Sequence, residues 1–156
     1  MIRPARPDDA EIIRAIWNRH IRETTATFHA VEKTPEEVRD RIATAPVFVA
    51  EGAGQVVGFA HYGQFRAGDG YRHTAEHTLY VDPASKGHGL GRALLSAVED
   101  HARVARFHSL WAAISAENES GIGFHAACGF TQVATLPEAG RKFDRWIDLV
   151  LMQKRL

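Results

Sequence analysis

The chain has 156 residues, of which 45% are hydrophobic and 24% are charged, and its formal net charge is zero. This length and composition predict a single soluble domain, spanning residues 1–156, with a core of its own. A neutral chain has no overall attraction to nucleic acid or to membranes.

Targeting and redox features also exclude several classes of protein. No apolar run approaches the roughly 20 residues that a membrane span requires. The first ten residues lack the apolar core of a signal peptide, and the one cysteine excludes an internal disulfide framework. We therefore expect a cytoplasmic protein.

The first elements are a short strand and an amphipathic helix. Ile2–Arg6 is predicted to be an edge strand, because Pro4 has no N–H to give to a sheet. Asp8 is predicted to cap the helix, with Glu11 as its reciprocal partner. Six side chains recur at helical spacing and predict its buried face: Ile12, Ile13, Ile16, Trp17, His20 and Ile21.

A polar, irregular stretch, residues 24–33, follows the helix and contains Phe28. Two interpretations of Phe28 stay open: its ring anchors the loop, or it forms a wall of a substrate pocket.

The next segment combines a strong helix start with a hairpin. Thr34 and Glu37 form a predicted capping box, with Pro35 at the first helical position. The strands Val47–Ala50 and Val56–Tyr62 are joined by a glycine-rich turn, which predicts a β-hairpin.

The centre of the chain is a strand, a glycine-rich turn and a helix. Thr78–Val81 is β-branched and aromatic, and Asp82-Pro83 ends the strand. Glycines at 87, 89 and 91 let backbone N–H groups approach a ligand at the start of the helix, where unpaired donors favour anions. The turn therefore predicts a pyrophosphate cradle, with Lys86 and Arg92 adding positive charge, although glycine could also serve only the backbone of a tight turn.

The last third is predicted to form a strand, a helix and two further strands. Ser109–Ser115 is apolar on both faces, as expected for a buried strand. A helix at about 120–128 and strands near 131–136 and 146–152 complete the order β-α-α-β-β-β-α-β-α-β-β. The fold class predicted is α/β.

Two motifs carry a family resemblance. Lys86-x-x-Gly89-x-Gly91 resembles the acetyl-CoA loop of the GNAT N-acetyltransferase superfamily, and residues 118–130, from Asn118 to Phe130, are similar to its later Asn-to-Gly-Phe segment. Lys86 stands where Gln or Arg is usual, and Gly121 stands where a small alanine is common.

The resemblance is closer to the phosphinothricin and methionine sulfoximine acetyltransferases. Their aromatic-Arg-x-Thr-x-Glu strand is matched by residues 71–76, His125 stands where relatives carry tyrosine, and a late Gly-x-Lys-x-x-x-Trp segment is matched by residues 140–146. The match spans nearly the whole chain.

The resemblance implies a GNAT fold, whose mixed central sheet has helices on both faces. Its two central strands, here those containing Thr78 and Ser109, splay apart around the thioester arm of acetyl-CoA. It also implies a homodimer. The residues expected to bind acetyl-CoA are Leu79, Tyr80, Val81, Lys86, Gly87, His88, Gly89, Leu90, Gly91, Arg92, Asn118 and Ser120.

Acetyl transfer to an amine requires a base, and Glu76 is the residue expected to act as one, directly or through water. Burial would raise the pKa of its carboxyl group and make it a better base; without the motif, a surface glutamate would be the more ordinary interpretation. His125 is the second catalytic candidate, as a proton donor or relay, with a packed structural histidine as the alternative. The acyl oxygen is expected to meet a backbone N–H near Leu79 to Val81.

The residues expected to bind the acceptor lie in three parts of the chain. Arg66 and Arg72 can clamp an acidic group, with solvated arginines as the alternative. The others are Phe28, Tyr71, Thr74 and Lys142. No metal is expected, because His73 and His77 share a strand face without a carboxylate.

Three functions remain open on the sequence. The first is an N-acetyltransferase for a small amino-acid-like amine such as phosphinothricin, methionine sulfoximine or methionine sulfone. The second uses another acceptor: a polyamine, an aminoglycoside or a protein N-terminus. The third is a non-catalytic acyl-CoA-binding module, which the presence of both Glu76 and His125 disfavours.

Overall fold

The computed structural model describes all residues from Met1 to Leu156. The strands are β1 (Ile2–Pro4), β2 (Val47–Gly52), β3 (Gln55–Gln64), β4 (Thr74–Val81), β5 (Ser109–Ser115), β6 (Thr131–Lys142) and β7 (Arg145–Arg155). The helices are α1 (Ala10–Glu23), α2 (Pro35–Thr44), α3 (Leu90–Val104) and α4 (Glu119–Ala127). The order of strands and α-helices is the predicted one.

All seven strands form one sheet in the order β1-β2-β3-β4-β5-β7-β6. Only β4 and β5 run parallel; every other neighbouring pair is antiparallel. The edge position of β1 accommodates Pro4, as predicted. The predicted α/β class is confirmed.

Two apolar clusters cover the two faces of the sheet. On one face α3 contributes Leu94, Leu95 and Val98 to a cluster of 15 buried residues. On the other face α1 packs with α2 over Val49 and Phe59 in a cluster of nine. The helices therefore hold the central strands from both sides, and the two faces remain chemically distinct.

The start of α1 differs from the prediction. Asp9, not Asp8, is the N-cap residue of α1, but its side chain bonds no N–H of that helix. Its carboxylate instead accepts from the Arg6 N–H at 2.7 Å and from the Arg3 guanidinium at 2.8 Å. A 3₁₀ turn at Pro7–Asp9 precedes the helix and moves the cap by one residue. Glu11 pairs with a neighbouring arginine on the surface instead.

Of the other local predictions, some are confirmed and others differ from the structure. The α2 capping box is confirmed, with Thr34 and Glu37 bonded reciprocally at 3.2 and 2.7 Å. Ile12 is 40% exposed and lies outside the buried face of α1. The last two strands are longer than predicted, because a tight turn with positive φ at both Phe143 and Asp144 joins them directly.

No helix in the chain is both long and apolar enough to cross a membrane.

His61 on β3 is a buried ionisable group without a polar partner. Its ring packs between Trp17 and Phe59, and neither ring nitrogen makes a hydrogen bond. Burial lowers the pKa of His61 from 6.5 to about 3, because the charged imidazolium would lose its hydration. His61 is therefore neutral in the folded protein.

We predict that His61 makes the fold acid-sensitive. Its pKa is depressed on folding, so its contribution to stability is complete above about pH 6.5 and is lost as the pH falls towards 3. Between pH 7 and 5 this loss is about 2 kcal/mol, and His61→Leu should remove that part of the pH dependence. Urea unfolding of both proteins at the two pH values measures it; an equal pH dependence in the variant would contradict the prediction.

Candidate active site

The sheet opens between its two parallel strands. β4 and β5 pair only over Thr74–Ser109, Ala75–Leu110 and Glu76–Trp111. Beyond this point each strand stays paired with its other neighbour, β3 or β7, along its length. The C-terminal halves of β4 and β5 therefore diverge and leave a gap in the middle of the sheet.

The gap exposes main-chain donors of β4. The Phe65 N–H bonds the Thr74 carbonyl at 2.9 Å, and the Asp82 N–H bonds the Val57 carbonyl at 2.7 Å, so the even-numbered residues of β4 direct their main-chain groups to β3. The N–H groups of Leu79 and Val81 then face the gap. They are oriented to stabilise an oxygen that becomes negative.

A cleft of about 1010 Å³ follows the gap. Its walls come from α1, the loop after α1, β4, the turn after β4, β5 and α4. Because the sheet is open here, side chains from both of its faces line one cleft. The predicted site residues that line it are Phe28, Glu76, Leu79, Tyr80, Val81, Lys86, Gly87, Gly89, Leu90, Gly91, Arg92, Asn118, Ser120 and His125.

The turn into α3 has the features of an anion cradle. Gly87 and Gly89 have φ values of 86° and 74°, a region that glycine enters without strain. No backbone N–H from Gly87 to Arg92 has a partner within the chain. A Cβ at either glycine would stand in open space, which leaves room for a ligand against the backbone. A diphosphate fits these donors and the N-terminus of α3.

Charged and apolar groups complete the turn. The side chains of Lys86 and Arg92 lie at the cleft, whereas His88 faces back to the Ser85 carbonyl at 3.3 Å and does not line it. Gly91 lies against the Phe124 ring, 3.4 Å from where a Cβ would be. Gly91 therefore permits the close packing of α3 on α4.

Asn118 caps α4 and faces the cleft. Its Oδ1 accepts from the Gly121 N–H at 3.0 Å and from the Ser120 hydroxyl at 3.1 Å. A Cβ at Gly121 would lie 2.4 Å from the Asn118 Nδ2. Glycine at 121, a departure from the family pattern, is therefore required by this position of the asparagine, whose amide N–H₂ remains free to donate to a ligand.

Glu76 lies where the β4–β5 ladder ends. Its side chain is half-buried and makes no hydrogen bond or ion pair in the chain, and burial raises the pKa of its carboxyl group. Such a carboxylate is a stronger base than a solvated one, and no cation neutralises it.

His125 on α4 contacts a second histidine. Its Nδ1 is 2.7 Å from the Gly121 carbonyl, and its Nε2 is 3.0 Å from Nε2 of His77, whose own Nδ1 is 3.0 Å from the Trp111 carbonyl. Burial lowers the pKa of His77 to about 3 and also lowers the pKa of His125. The two rings form a hydrogen-bonded chain between β5 and α4.

The loop after α1 is fixed by β6. The buried Lys142 ammonium donates to the carbonyls of Thr24 and Thr27 at 2.6 and 2.8 Å. The Phe28 ring lies on Gly140, where a Cβ would come within 2.3 Å of it. Phe28 thus both anchors the loop and lines the cleft, while Lys142 lies behind that wall.

Four predicted acceptor-binding residues lie away from the cleft. Arg66 packs over the Tyr71 ring at 5.4 Å, and the exposed Arg72 donates to the His73 ring. Both arginines belong to the loop before β4, and Thr74 begins the strand; none of the three lines the cleft, which includes β4 from Glu76 to Val81.

Several cleft residues were not singled out from the sequence. His20 stacks on Tyr80 at 4.6 Å between centroids, and Glu117 is paired with Arg145. His77 had been considered only as a metal ligand. The alternation of side chains along a strand predicts that His77 and Glu76 lie on opposite faces of β4. The contact of His77 with His125 on α4, however, joins residues 48 positions apart, and no local sequence pattern predicts it.

The arrangement supports acyl transfer from a diphosphate-containing thioester. The turn and α3 would hold the diphosphate, the gap would admit the acyl arm, and the N–H groups of Leu79 and Val81 would meet the acyl oxygen. Glu76 would remove a proton from a nucleophile. No group of three or more His, Cys, Asp or Glu side chains lies close enough to hold a metal ion.

Comparison with known proteins gives a consistent result. A family model described as an acetyltransferase (GNAT) domain matches residues 2–151. The L-amino acid N-acyltransferase of Escherichia coli K12 is 39% identical over 99% of this chain and 93% of its own length. The L-methionine sulfoximine/L-methionine sulfone acetyltransferase of Pseudomonas paraeruginosa is 38% identical over 99% of this chain and 94% of its own.

A solved structure is similar throughout. The GNAT superfamily phosphinothricin acetyltransferase of Sinorhizobium meliloti, in complex with acetyl-CoA, superimposes with a TM-score of 0.95 at 30% identity, covering 100% of this chain and 88% of that one.

We predict that Gly89→Val weakens acetyl-CoA binding by about tenfold or more, because the side chain would occupy the space that the diphosphate needs. Gly54→Val is the matched control, since Gly54 also has a positive φ and open surroundings but lies in the β2–β3 turn, outside the cleft. Calorimetric titration without acceptor measures both. Equal loss of binding in the two variants would attribute the effect to backbone strain and remove the cradle assignment.

Proposed function

The chain belongs to the GNAT acetyltransferase family, and on that premise we propose that it acetylates the amino group of a small amino-acid-like molecule. Its chemistry is that of an acetyl-CoA-dependent N-acetyltransferase. The acceptors proposed are those of the methionine sulfoximine, methionine sulfone and phosphinothricin type. They are the substrates named for the relatives that match nearly the whole chain.

The observation that carries the mechanism is the unpaired carboxylate of Glu76 at the start of the gap. An amino acid's amine is largely protonated at neutral pH and must lose a proton before it can attack. Glu76, with its raised pKa and no competing cation, accepts that proton directly or through one water. Glu76 and the main-chain donors that would hold the acyl group, Leu79 and Val81, belong to the same strand, β4.

Transfer is direct, within a complex of both substrates. The N–H groups of Leu79 and Val81 stabilise the acyl oxygen as the amine attacks. Cys128, the one thiol of the chain, does not line the cleft, so no acyl-enzyme on sulfur is part of the proposal. The acetyl group passes from sulfur to nitrogen in one substitution.

Recognition of the acceptor's acidic group is assigned to Arg66 and Arg72, with Tyr71, Thr74 and Phe28 as further contacts. Phe28 lines the cleft, whereas the other four lie outside it in one chain. We propose that the chain forms a homodimer in which these loop residues complete an acceptor site. Tyr71 and Trp146 are 40% and 57% exposed, so both side chains are accessible to a second chain. We propose a cytoplasmic location, where acetyl-CoA is made.

An acceptor screen tests the substrate class. The purified protein is incubated with acetyl-CoA and a panel of amines, and free thiol is measured: methionine sulfoximine, methionine sulfone, phosphinothricin, spermidine, an aminoglycoside and an N-terminal peptide. Turnover of the first three at kcat/KM values at least tenfold above the rest is expected. Preference for any of the last three would replace the proposed acceptor, and no turnover would leave a binding module.

Glu76→Gln tests the base. The amide keeps the shape of the carboxylate and removes its basicity, so kcat at neutral pH should fall by about 10²–10⁴-fold while acetyl-CoA binding is retained. The loss should shrink at high pH, where the amine deprotonates without help. In the parent enzyme kcat should fall as the pH drops through the raised pKa of Glu76. A Gln variant with parental kcat at neutral pH would exclude this role.

A further inference from the structure

The two histidines at the cleft, His77 and His125, make three hydrogen-bond contacts, whereas two neutral rings carry only two N–H groups to donate in them. The chain of contacts runs from the Trp111 carbonyl through His77 and His125 to the Gly121 carbonyl. It has three links, at 3.0, 3.0 and 2.7 Å. A neutral imidazole carries one N–H, so two neutral rings supply two protons for three links.

The ends of the chain fix where two of these protons lie. A main-chain carbonyl only accepts, so Nδ1 of His77 donates to Trp111 and Nδ1 of His125 donates to Gly121. The two Nε2 atoms, 3.0 Å apart, would then face each other as lone pairs if both rings were neutral. A third proton between them turns this contact into a hydrogen bond.

The third proton belongs on His125. His77 is buried, with 7% of its surface exposed, whereas His125 is partly exposed and lines the cleft. An imidazolium costs less where it retains contact with solvent. His125 then donates from both nitrogens, and His77 stays neutral and accepts.

We propose that His77 is a positioning residue that holds His125 as an imidazolium, so that the α4 wall of the cleft carries a fixed positive charge. The chemical role of this charge rests on the proposed function. By this stage Glu76 has passed the proton of the ammonium to solvent. As the C–N bond forms and the C–S bond breaks, the electron pair of the C–S bond goes to sulfur, and the proton that the attacking nitrogen then loses goes to Glu76. The imidazolium stabilises the thiolate by charge, and because both of its N–H groups are engaged, it does not give up a proton.

Some groups around the histidine pair disfavour the charged form of His125, and others favour it. Burial is the larger effect and lowers the pKa of His125, and the Gly121 carbonyl raises it; the lone pair of His77, 3.0 Å away, acts in the same direction as the carbonyl. Phe124 and Phe130 pack on the His125 ring. The titratable side chains on the elements packed around it are Arg92 on α3, Cys128 after α4, Lys154 on β7 with its partner Glu99, and Glu76 on the other face of β4.

Ring-nitrogen NMR of the free, ¹⁵N-histidine-labelled enzyme tests the proposal without any substrate. At pH 7, His125 is expected to show two protonated nitrogens and His77 one, at Nδ1. In His77→Phe, which removes the acceptor, His125 should lose one proton, and its pKa should fall. A neutral His125 in the parent enzyme at pH 7 would overturn the proposal.

Two further variants separate positioning from packing. His77→Gln offers an amide oxygen to the Nε2–H of His125 and should keep His125 doubly protonated even if stability changes. His108→Gln is the matched control, because the His108 side chain is exposed and makes no hydrogen bond. Thermal unfolding of each variant reports its folding, and a His125 that titrates identically in the Phe and Gln variants would overturn the role of His77.

Kinetics then connect the charge to catalysis. In His77→Phe, kcat should fall by about tenfold or more, and its alkaline limb should move to lower pH, whereas His77→Gln should restore much of both. An unchanged pH profile in the Phe variant would exclude the catalytic use of the charge. If the parent enzyme acetylates no amine, the proposed function fails, while the NMR result still decides the state of the pair.

Discussion

The termination of the β4–β5 ladder is the constraint on which the site depends. A parallel pair that continued past Glu76 and Trp111 would consume the main-chain donors of Leu79 and Val81. Instead, β3 holds β4 and β7 holds β5, so the two strands can separate without leaving either one unsupported. Unpaired N–H groups are costly in a core, and here they face a cleft where solvent or a ligand can satisfy them.

The same separation joins two chemically different surfaces. Side chains alternate along β4, so Glu76 and Tyr80 face the α1 layer, whereas His77 and Leu79 face the α3 layer. In a closed sheet these groups could not act on one molecule. The gap lets a carboxylate from one layer and a histidine pair from the other line a single cleft.

What could be predicted from the sequence was local. The α2 cap, the bounds of β5 and the glycine turn before α3 each depend on residues within a few positions of one another. The path of the cleft required the resemblance to the family as well. At the start of α1 the sequence indicated Asp8 as the cap, whereas the 3₁₀ turn at Pro7–Asp9 makes Asp9 the N-cap residue, and the carboxylate of Asp9 binds Arg3 on β1.

The features that could not be predicted are contacts between distant segments, and they are the ones that shape the acceptor side of the cleft. Lys142 donates to carbonyls 115 and 118 residues earlier in the chain. An ammonium with only carbonyl partners is a costly group to bury, and burial lowers its pKa. The contact nevertheless fixes the loop after α1, which has no strand or helix of its own from Thr24 to Thr34. Together with the Phe28 ring against Gly140, it gives an otherwise irregular segment one position. A sequence pattern can identify Phe28 and Lys142 as unusual, but only the register of β6 beside that loop makes them parts of the same wall.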